Sequence, residues 1–172
     1  VAIAPASFQV DPGDPLSYVF FTDNAARGRN YGLEASLAWQ PVERLNLGAT
    51  LGLLHSEYVG YRYGDRNLDG REQAHAPGYQ YSLSAQWGGG EGWMARADLN
   101  GVDAFYLDTS HDQRSNPYTL LNLMAAYMRG PWSVEAWVRN VMNENYAVRG
   151  FYFGREPPDY ADKLYFQRGD GR

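Results

Sequence analysis

The sequence contains no cysteine, which excludes a disulfide framework, a thiolate metal site and a cysteine nucleophile. No apolar run approaches the roughly 20 residues that a membrane-spanning helix requires. Acidic residues outnumber basic ones by 20 to 15, and no basic cluster indicates a nucleic-acid partner. Motifs for serine hydrolases, nucleotide binding and zinc proteases are also missing. The sequence therefore predicts no enzyme activity, no catalytic residue and no cofactor.

Aromatic residues and glycine are plentiful instead, with 14 Tyr, 5 Trp and 19 Gly in 172 residues. In residues 78–100, apolar and polar side chains alternate on both sides of a glycine-rich joint at 88–92. Successive side chains of a strand point to opposite faces, so this alternation predicts a hairpin with one apolar and one polar face. The mean hydropathy of −0.53 is compatible with membrane strands, because half of each such strand is polar.

The same alternation recurs along the chain, and the connections between the stretches differ in length. Alternating stretches are found at 31–39, 45–53, 117–128 and 132–138. Short turns are predicted at 41–44, 88–92 and 129–131, and long polar loops at 56–77, 102–116 and 141–162. Five aromatic residues lie at the short-turn end: Trp39, Trp87, Trp93, Tyr127 and Trp132.

This asymmetry separates two all-β architectures. A soluble sandwich packs its apolar faces together and has no reason to place all short turns at one end. An outer-membrane barrel has short turns at one end, long loops at the other and aromatic girdles at the interfaces. The pattern favours an antiparallel up-and-down transmembrane β-barrel, present here as an incomplete C-terminal segment of about six to seven strands.

The two ends of the chain carry weaker signals. Residues 1–16 are interpreted as loop and 17–21 as a strand. At the other end, Lys163–Arg168 is predicted to begin a strand that pairs with residues 132–140. No signal peptide is recognisable, and we expect the natural N-terminus to lie elsewhere. Residues 1–172 are treated as one domain.

Three motifs resemble the C-terminal part of TonB-dependent outer-membrane receptors. The first is Asn24-Ala25-Ala26-Arg27 running into Gly32-Leu33-Glu34. The second is Leu68-Asp69-Gly70-Arg71-Glu72 followed by Ala76-Pro77. The most specific is Val138-Arg139-Asn140-Val141-Met142-Asn143-Glu144-Asn145-Tyr146, which is similar to the family's late Asn-Leu-x-Asp/Asn-x-x-Tyr motif.

The resemblance covers about residues 24–168 and implies an outer-membrane receptor for a scarce nutrient, most often a ferric siderophore. It implies contact with outer-membrane lipid and with the TonB complex, the latter through an N-terminal TonB box that is absent here together with the plug domain. Such receptors close a barrel of 22 strands, and the chain is expected to be truncated at both ends. It also implies that residues 18–40 form one long strand. The alternatives are a small porin-like barrel and a soluble β-sandwich that binds carbohydrate.

The long loops carry the candidate ligand-binding residues. These are His111, Arg114, Arg149, Phe151 and Tyr152. Exposed aromatics and arginines suit an anionic, aromatic ligand such as a ferric chelate, although the same residues could serve only to pack the loops. The 141–162 loop is expected to matter more for ligand binding than the 88–92 turn.

Two further groups of polar residues have both a functional and a structural interpretation. Asp65, Asn67 and Asp69 match the first half of a calcium-binding loop, but Ala76 replaces the expected bidentate glutamate, which favours a solvated turn. Five charged residues on the predicted lumen face are interpreted as a cross-strand ladder of ion pairs or as a wall that contacts a plug or permeant: Glu34, Arg96, Asp98, Glu135 and Arg139.

Overall fold

A computed structural model describes residues 3–9, 11, 13–14, 18–24, 27–109, 111–153, 157–158, 161 and 163–171, with the side chains of 3–9 and 18–24 left undescribed. In these residues every regular element is a β-strand, and none of them belongs to a helix that could cross a membrane. The strands are β1 Ile3–Gln9, β2 Tyr18–Asn24, β3 Arg27–Val42, β4 Leu45–Val59, β5 Arg62–Tyr63, β6 Arg66–Asn67, β7 Tyr79–Gly88, β8 Gly92–Val102, β9 Tyr118–Arg129, β10 Trp132–Val138, β11 Ala147–Phe153 and β12 Lys163–Arg168.

Six strands form one antiparallel meander in the order β10-β9-β8-β7-β4-β3. Three tight turns join them at one end, between β3 and β4, β7 and β8, and β9 and β10. Each turn contains backbone in the left-handed region, such as Arg44 with φ 69° and Gly130 with φ 56°. The predicted hairpins and the segregation of short and long connections are confirmed.

The two faces of this sheet differ in polarity, as the alternation predicts. On one face the register places Ala49, Leu83, Leu99 and Leu121 side by side on four neighbouring strands. On the other face, one residue away, the register aligns Gly48, Ser84, Asp98 and Asn122. The apolar face is open, with Leu83 46% exposed. In the described residues no second sheet covers it, which is the arrangement of a barrel wall and not of a sandwich.

The sheet is not closed. β3 and β10 are its two edges, and each has a single partner strand within the described residues. Six strands cannot close a membrane barrel, since the smallest single-chain barrels have eight. The fold class predicted from the sequence, an incomplete antiparallel barrel segment, is confirmed.

The N-terminal prediction is wrong. Residues 1–16 were expected to be loop, but they contain β1, which pairs with β2 from Ile3 opposite Asn24 to Gln9 opposite Tyr18. A partner strand supplies the hydrogen bonds that the weak local periodicity does not reveal. β2 and β3 also pair with different strands, β1 and β4, so residues 18–40 do not form one strand with a single partner. Ala25 and Ala26, between them, lie outside the described residues.

The pairing expected for the last strand is also wrong. β12 pairs with β11, from Phe153 opposite Lys163 to Ala147 opposite Arg168, and not with β10. The predicted loop at 141–162 therefore contains a strand. After β10, Asn140 adopts a φ of 46° and the Val141 N–H still donates to the Leu121 carbonyl of β9 at 2.8 Å; β11 and β12 then form a two-stranded sheet of their own.

The buried core lies among the long connections rather than within the sheet. Leu107 is completely buried, Leu68 and Phe105 are at least 94% buried, and Tyr58, at the loop end of β4, is 93% buried. Among the sheet residues beyond β4, only Gly88, Gly101 and Ala126 are buried. A single layer of β-sheet has no interior of its own. A packed core can therefore form only where the long connections meet at the end of the sheet. We call residues 56–78, 103–117 and 140–153 with β12 the loop layer.

Candidate ligand-binding surface of the loop layer

Arg71 joins two of the long connections. Its guanidinium donates hydrogen bonds to the carbonyl oxygens of Thr109 at 2.9 Å, Asp108 at 2.8 Å and His111 at 2.6 Å. The side chain is only 9% exposed, and Asp112 lies 3.6 Å away as its counter-charge. Because the planar fork of arginine reaches several acceptors at once, one side chain fixes the shape of the 108–112 turn.

Tyr106 lies between two arginines. The guanidinium carbon of Arg71 is 4.1 Å from the centre of the Tyr106 ring, and that of Arg114 is 4.9 Å away. Arg114 also donates to the carbonyl of Ala104 at 2.9 Å and pairs with Glu72 at 2.9 Å. The two cation–π contacts and the ion pairs make this part of the loop layer a polar but well-packed unit.

His111 and Tyr152 are brought together, although 41 positions separate them in sequence. Their rings stack at 3.4 Å with an interplanar angle of 13°. His111 is further fixed by Asp108, whose carboxylate accepts from the His111 backbone N–H at 2.8 Å and lies 3.4 Å from Nδ1. This stack docks the β11–β12 hairpin on the 103–117 connection.

The other two candidate residues lie apart from this stack. Phe151 alternates with Tyr152 along β11 and therefore points to the opposite face of the hairpin, where it is 49% exposed and stacks on Tyr165 at 5.7 Å. Arg149 shares the face of Phe151 by the same alternation and is exposed. The structure thus brings His111 and Tyr152 into contact, places Arg114 on the same connection as His111, and separates Phe151.

His75 has a perturbed acidity. Partial burial lowers the pKa of His75, the nearby positive charge of Arg149 lowers it further, and Asp108 opposes the shift. Its backbone has φ 58° and donates to the carbonyl of Tyr106 at 2.9 Å, while its ring lies 5.7 Å from that of Phe105. The neutral imidazole is therefore the form that suits the packed loop layer.

Asn140 explains why the third motif has its sequence. Its Oδ1 accepts from the Glu144 N–H at 2.8 Å, and its Nδ2 donates to the carbonyls of Glu144 and Asp170 at 2.9 and 3.1 Å. Asn140 is 2% exposed, so its amide depends on these partners and not on bulk water. A short amide that tolerates positive φ is what this buried position requires.

Two side chains of the candidate calcium loop, Asn67 and Asp69, accept hydrogen bonds from nearby backbone N–H groups. Asn67 Oδ1 accepts from the Asp69 N–H at 3.1 Å, and Asp69 Oδ1 accepts from the Gly60 N–H at 2.6 Å. Over the part of the chain that the structure describes, no group of three or more acidic, histidine or cysteine side chains is arranged to hold a metal ion. The arrangement is that of a hydrogen-bonded turn.

The predicted ladder of cross-strand ion pairs is wrong for its best-defined members. Arg96 pairs with Asp98 on its own strand, with two contacts of 2.8 Å, while the register places Gln86 and Met124 opposite Arg96. Residues i and i+2 of a strand share a face, so a long arginine side chain reaches along the strand to the nearest carboxylate. This ion pair therefore does not connect β8 to a neighbouring strand on the polar face.

Arg71, Tyr106 and Asn140 are the residues whose roles the sequence did not predict. Arg71 and Asn140 belong to motifs that resemble the family, and Tyr106 lies in the predicted 102–116 loop, but the motifs do not indicate the contacts of these side chains. A buried arginine that binds backbone carbonyls has no sequence signature, since its acceptors lie 37 to 40 positions away.

The open antiparallel meander, its apolar face and the loop layer at one end define the class of structure: a segment of a β-barrel wall with its external connections. A family model described as "TonB dependent receptor-like, beta-barrel" matches residues 3–141. The chain belongs to this family of TonB-dependent receptor barrels.

One solved structure with a similar fold is BauA, the ferric preacinetobactin receptor from Acinetobacter baumannii. The two share 21% sequence identity with a TM-score of 0.59 over 96% of this chain. The chain spans 24% of the length of BauA. At this identity the likeness establishes the fold, in agreement with the family assignment.

Proposed function

We propose that the chain forms part of the wall and external loops of an outer-membrane receptor that takes up a ferric siderophore with energy supplied through TonB. The family assignment of residues 3–141 is the observation that carries the proposal. The apolar face of the meander contacts lipid, and the polar face lines the lumen. The contact with TonB and the energy coupling belong to segments of the receptor other than this wall.

The composition of the loop layer supports an anionic aromatic ligand. His111 and Tyr152 present a stacked pair of rings, and Arg114 supplies a cation that is 38% exposed. A ferric siderophore combines negative charge with planar chelating groups, which both cations and aromatic rings attract. Arg149 and Phe151 form a second contact on the outer face of the β11–β12 hairpin.

The experiment measures siderophore binding to the full-length receptor in detergent, followed by quenching of tryptophan fluorescence. The probes are ferric preacinetobactin, the ligand named for BauA, and the ferric complexes of one catecholate and one hydroxamate siderophore. Tyr152→Ala is expected to weaken binding of the preferred probe about five- to tenfold, because it removes one aromatic contact. Tyr127→Ala is the control, because Tyr127 lies in β9 at the short-turn end of the sheet, opposite to the loop layer.

Two results would contradict the proposal, one concerning the class of ligand and the other the location of the binding site. If none of the three ferric probes binds, the ligand class is wrong. If a probe binds with the same affinity to the Tyr152→Ala variant, the His111–Tyr152 surface is not in the site. Growth on the bound siderophore as sole iron source, with and without TonB, tests the transport step separately.

A porin-like function is the second candidate, and the match of residues 3–141 to the TonB-dependent receptor barrel argues against it. Passive diffusion would also make growth on the siderophore independent of TonB, which the same growth experiment measures.

A further inference from the structure

The outward face of β3 and β4 continues beyond the apolar band. The register runs without interruption from Trp39 opposite Leu47 to Arg27 opposite Val59, so side chains two positions apart stay on one face throughout. The face that carries Leu37, Leu33 and Leu53 therefore also carries a polar group of residues nearer the loop layer. We call these residues the outer patch: Arg27, Arg29, Tyr31, His55 and Glu57.

The distance along β3 sets the height of this patch. Arg29 lies ten residues from Trp39, which is about 33 Å at roughly 3.3 Å per residue. With a strand tilt of about 40°, the height difference is about 25 Å, which equals the usual height of the apolar band of a membrane barrel. If Trp39 marks one interface, Arg29 and Arg27 reach the headgroups at the other, and Tyr31 lies just inside them.

The contacts within the patch leave its positive charge accessible. Arg29 pairs with Glu57 at 3.1 Å, yet its side chain stays 66% exposed. The other Glu57 oxygen lies 3.7 Å from His55 Nε2, and the His55 ring packs against Tyr31 at 4.7 Å. Arg27 is exposed as well. Two arginines against one glutamate give the patch a formal charge of about +1 with neutral histidine.

The chemistry and the position identify one kind of partner. An apolar band that ends in a tyrosine and then in exposed arginines matches the depth profile of a lipid with an anionic headgroup. Guanidinium groups bind phosphate with two parallel hydrogen bonds. The patch also lies on the outward face of the wall, away from the lumen that a transported ligand would cross.

We propose that the outer patch binds the phosphate groups of outer-leaflet lipid, through Arg27 and Arg29, with Tyr31 seated against the acyl chains. This site is separate from the loop-layer surface and does not depend on which ligand the receptor takes up. It fixes the height of β3 and β4 in the membrane and adds a specific lipid to the wall.

The test measures lipid binding to the full-length receptor by native mass spectrometry in detergent, with purified diphosphoryl lipid A as the probe. The double variant Arg27→Gln/Arg29→Gln is expected to bind it more weakly, by about fivefold for each arginine removed. The matched control is Arg129→Gln. Arg129 is exposed and lies on the same face at the short-turn end of β9, and its loss is expected to change binding by less than twofold.

A second arm uses the unaltered receptor and lipid A from which both phosphates have been removed. We expect dephosphorylation to weaken binding at least as much as the double substitution does. Equal binding of the two lipids overturns the proposal, and so does equal binding by the double variant and the unaltered receptor. The second arm needs no variant, so it stays decisive if the double variant fails to fold.

Discussion

At the scale of single residues, Arg71 connects two of the long connections through one buried side chain. Its guanidinium donates to three carbonyl groups, those of Asp108, Thr109 and His111, in a partly buried region. Buried carbonyls without partners are costly, and arginine is the one side chain that offers several donors in a rigid plane. The residue therefore joins the backbone of this turn to the 56–78 connection.

Arg71→Lys is expected to loosen the 103–117 connection although the charge is kept. A lysine ammonium cannot reach all three carbonyls and stack on Tyr106. The loss of about 1.5–3 kcal/mol should speed amide hydrogen exchange in residues 104–113 tenfold or more. Arg62→Lys, at an exposed position in β5, is the control and should leave the exchange unchanged. If amide exchange is equally fast in both variants, Arg71 does not hold the 103–117 connection in place.

His75 should make the loop layer less stable in acid. Its pKa is lowered in the folded protein, first by partial burial and then by Arg149, so the unfolded loop binds the proton more readily. The stabilisation is therefore complete above the usual histidine pKa of about 6.5 and is lost as pH falls from that value through the folded pKa. Intrinsic amide exchange slows as pH falls, so exchange rates are first divided by the intrinsic rates; the resulting protection of residues 103–109 should decrease between pH 7.5 and 5.

His75→Asn provides the comparison for this pH dependence. Asparagine tolerates the positive φ of this position and does not titrate, so the acid-dependent part of the exchange should disappear in the variant. If wild-type protein and variant respond to acid alike, another group is responsible.

At the scale of elements, each strand of the meander has one apolar and one polar face. Leu83 lies midway between Trp87 and Tyr79 on the apolar face of β7, and Ser84 occupies the polar face beside Gly48 and Asp98. In hydrocarbon a charged side chain has no partner, whereas the polar face can hydrate it. Neighbouring positions of one strand should therefore respond very differently to the same substitution.

Leu83→Arg is expected to cost about 2–4 kcal/mol in the full-length receptor, the range for arginine near the bilayer midplane. Ser84→Arg should cost much less. The measurement is the free energy of unfolding in lipid vesicles. Similar losses at the two positions would contradict the assignment of the apolar face to lipid.

The sequence predicts these elements best where side chains alternate between two environments. The register of residues 45–53 and 79–102 follows from alternation alone, because a slip by one residue would exchange every apolar and polar side chain. β11 and β12 were not predicted as a pair, since a hairpin packed on loops has no such constraint. The His111–Tyr152 contact could not be foreseen, because it depends on the path of the chain after Asn140, although both residues were candidates by composition.

At the scale of the whole molecule, the open edges of the sheet determine how the chain behaves alone. The outer edges of β3 and β10 have no partner strand in the described part of the chain, and each unpaired backbone group in hydrocarbon costs several kcal/mol. These edges should pair with further strands in a complete barrel.

The isolated 172-residue chain is therefore expected to aggregate or to form a frayed sheet in detergent, without a heat-modifiable monomer band. The full-length receptor should fold and resist SDS at room temperature. Gel mobility before and after heating, together with the monomer mass, distinguishes the two. A compact, SDS-resistant monomer from these residues alone would mean that the chain closes a small barrel by itself.

The location of the buried core has a consequence for how this protein tolerates change during evolution. In most folds the surface loops accept substitutions and the regular elements resist them. Here Leu107, Phe105 and Leu68 belong to connections and are buried, while most strand positions need only keep their polarity. Random substitution should therefore damage the connections more often than the strands. Substitutions that leave the fold intact are therefore expected mainly at the exposed positions between these buried residues.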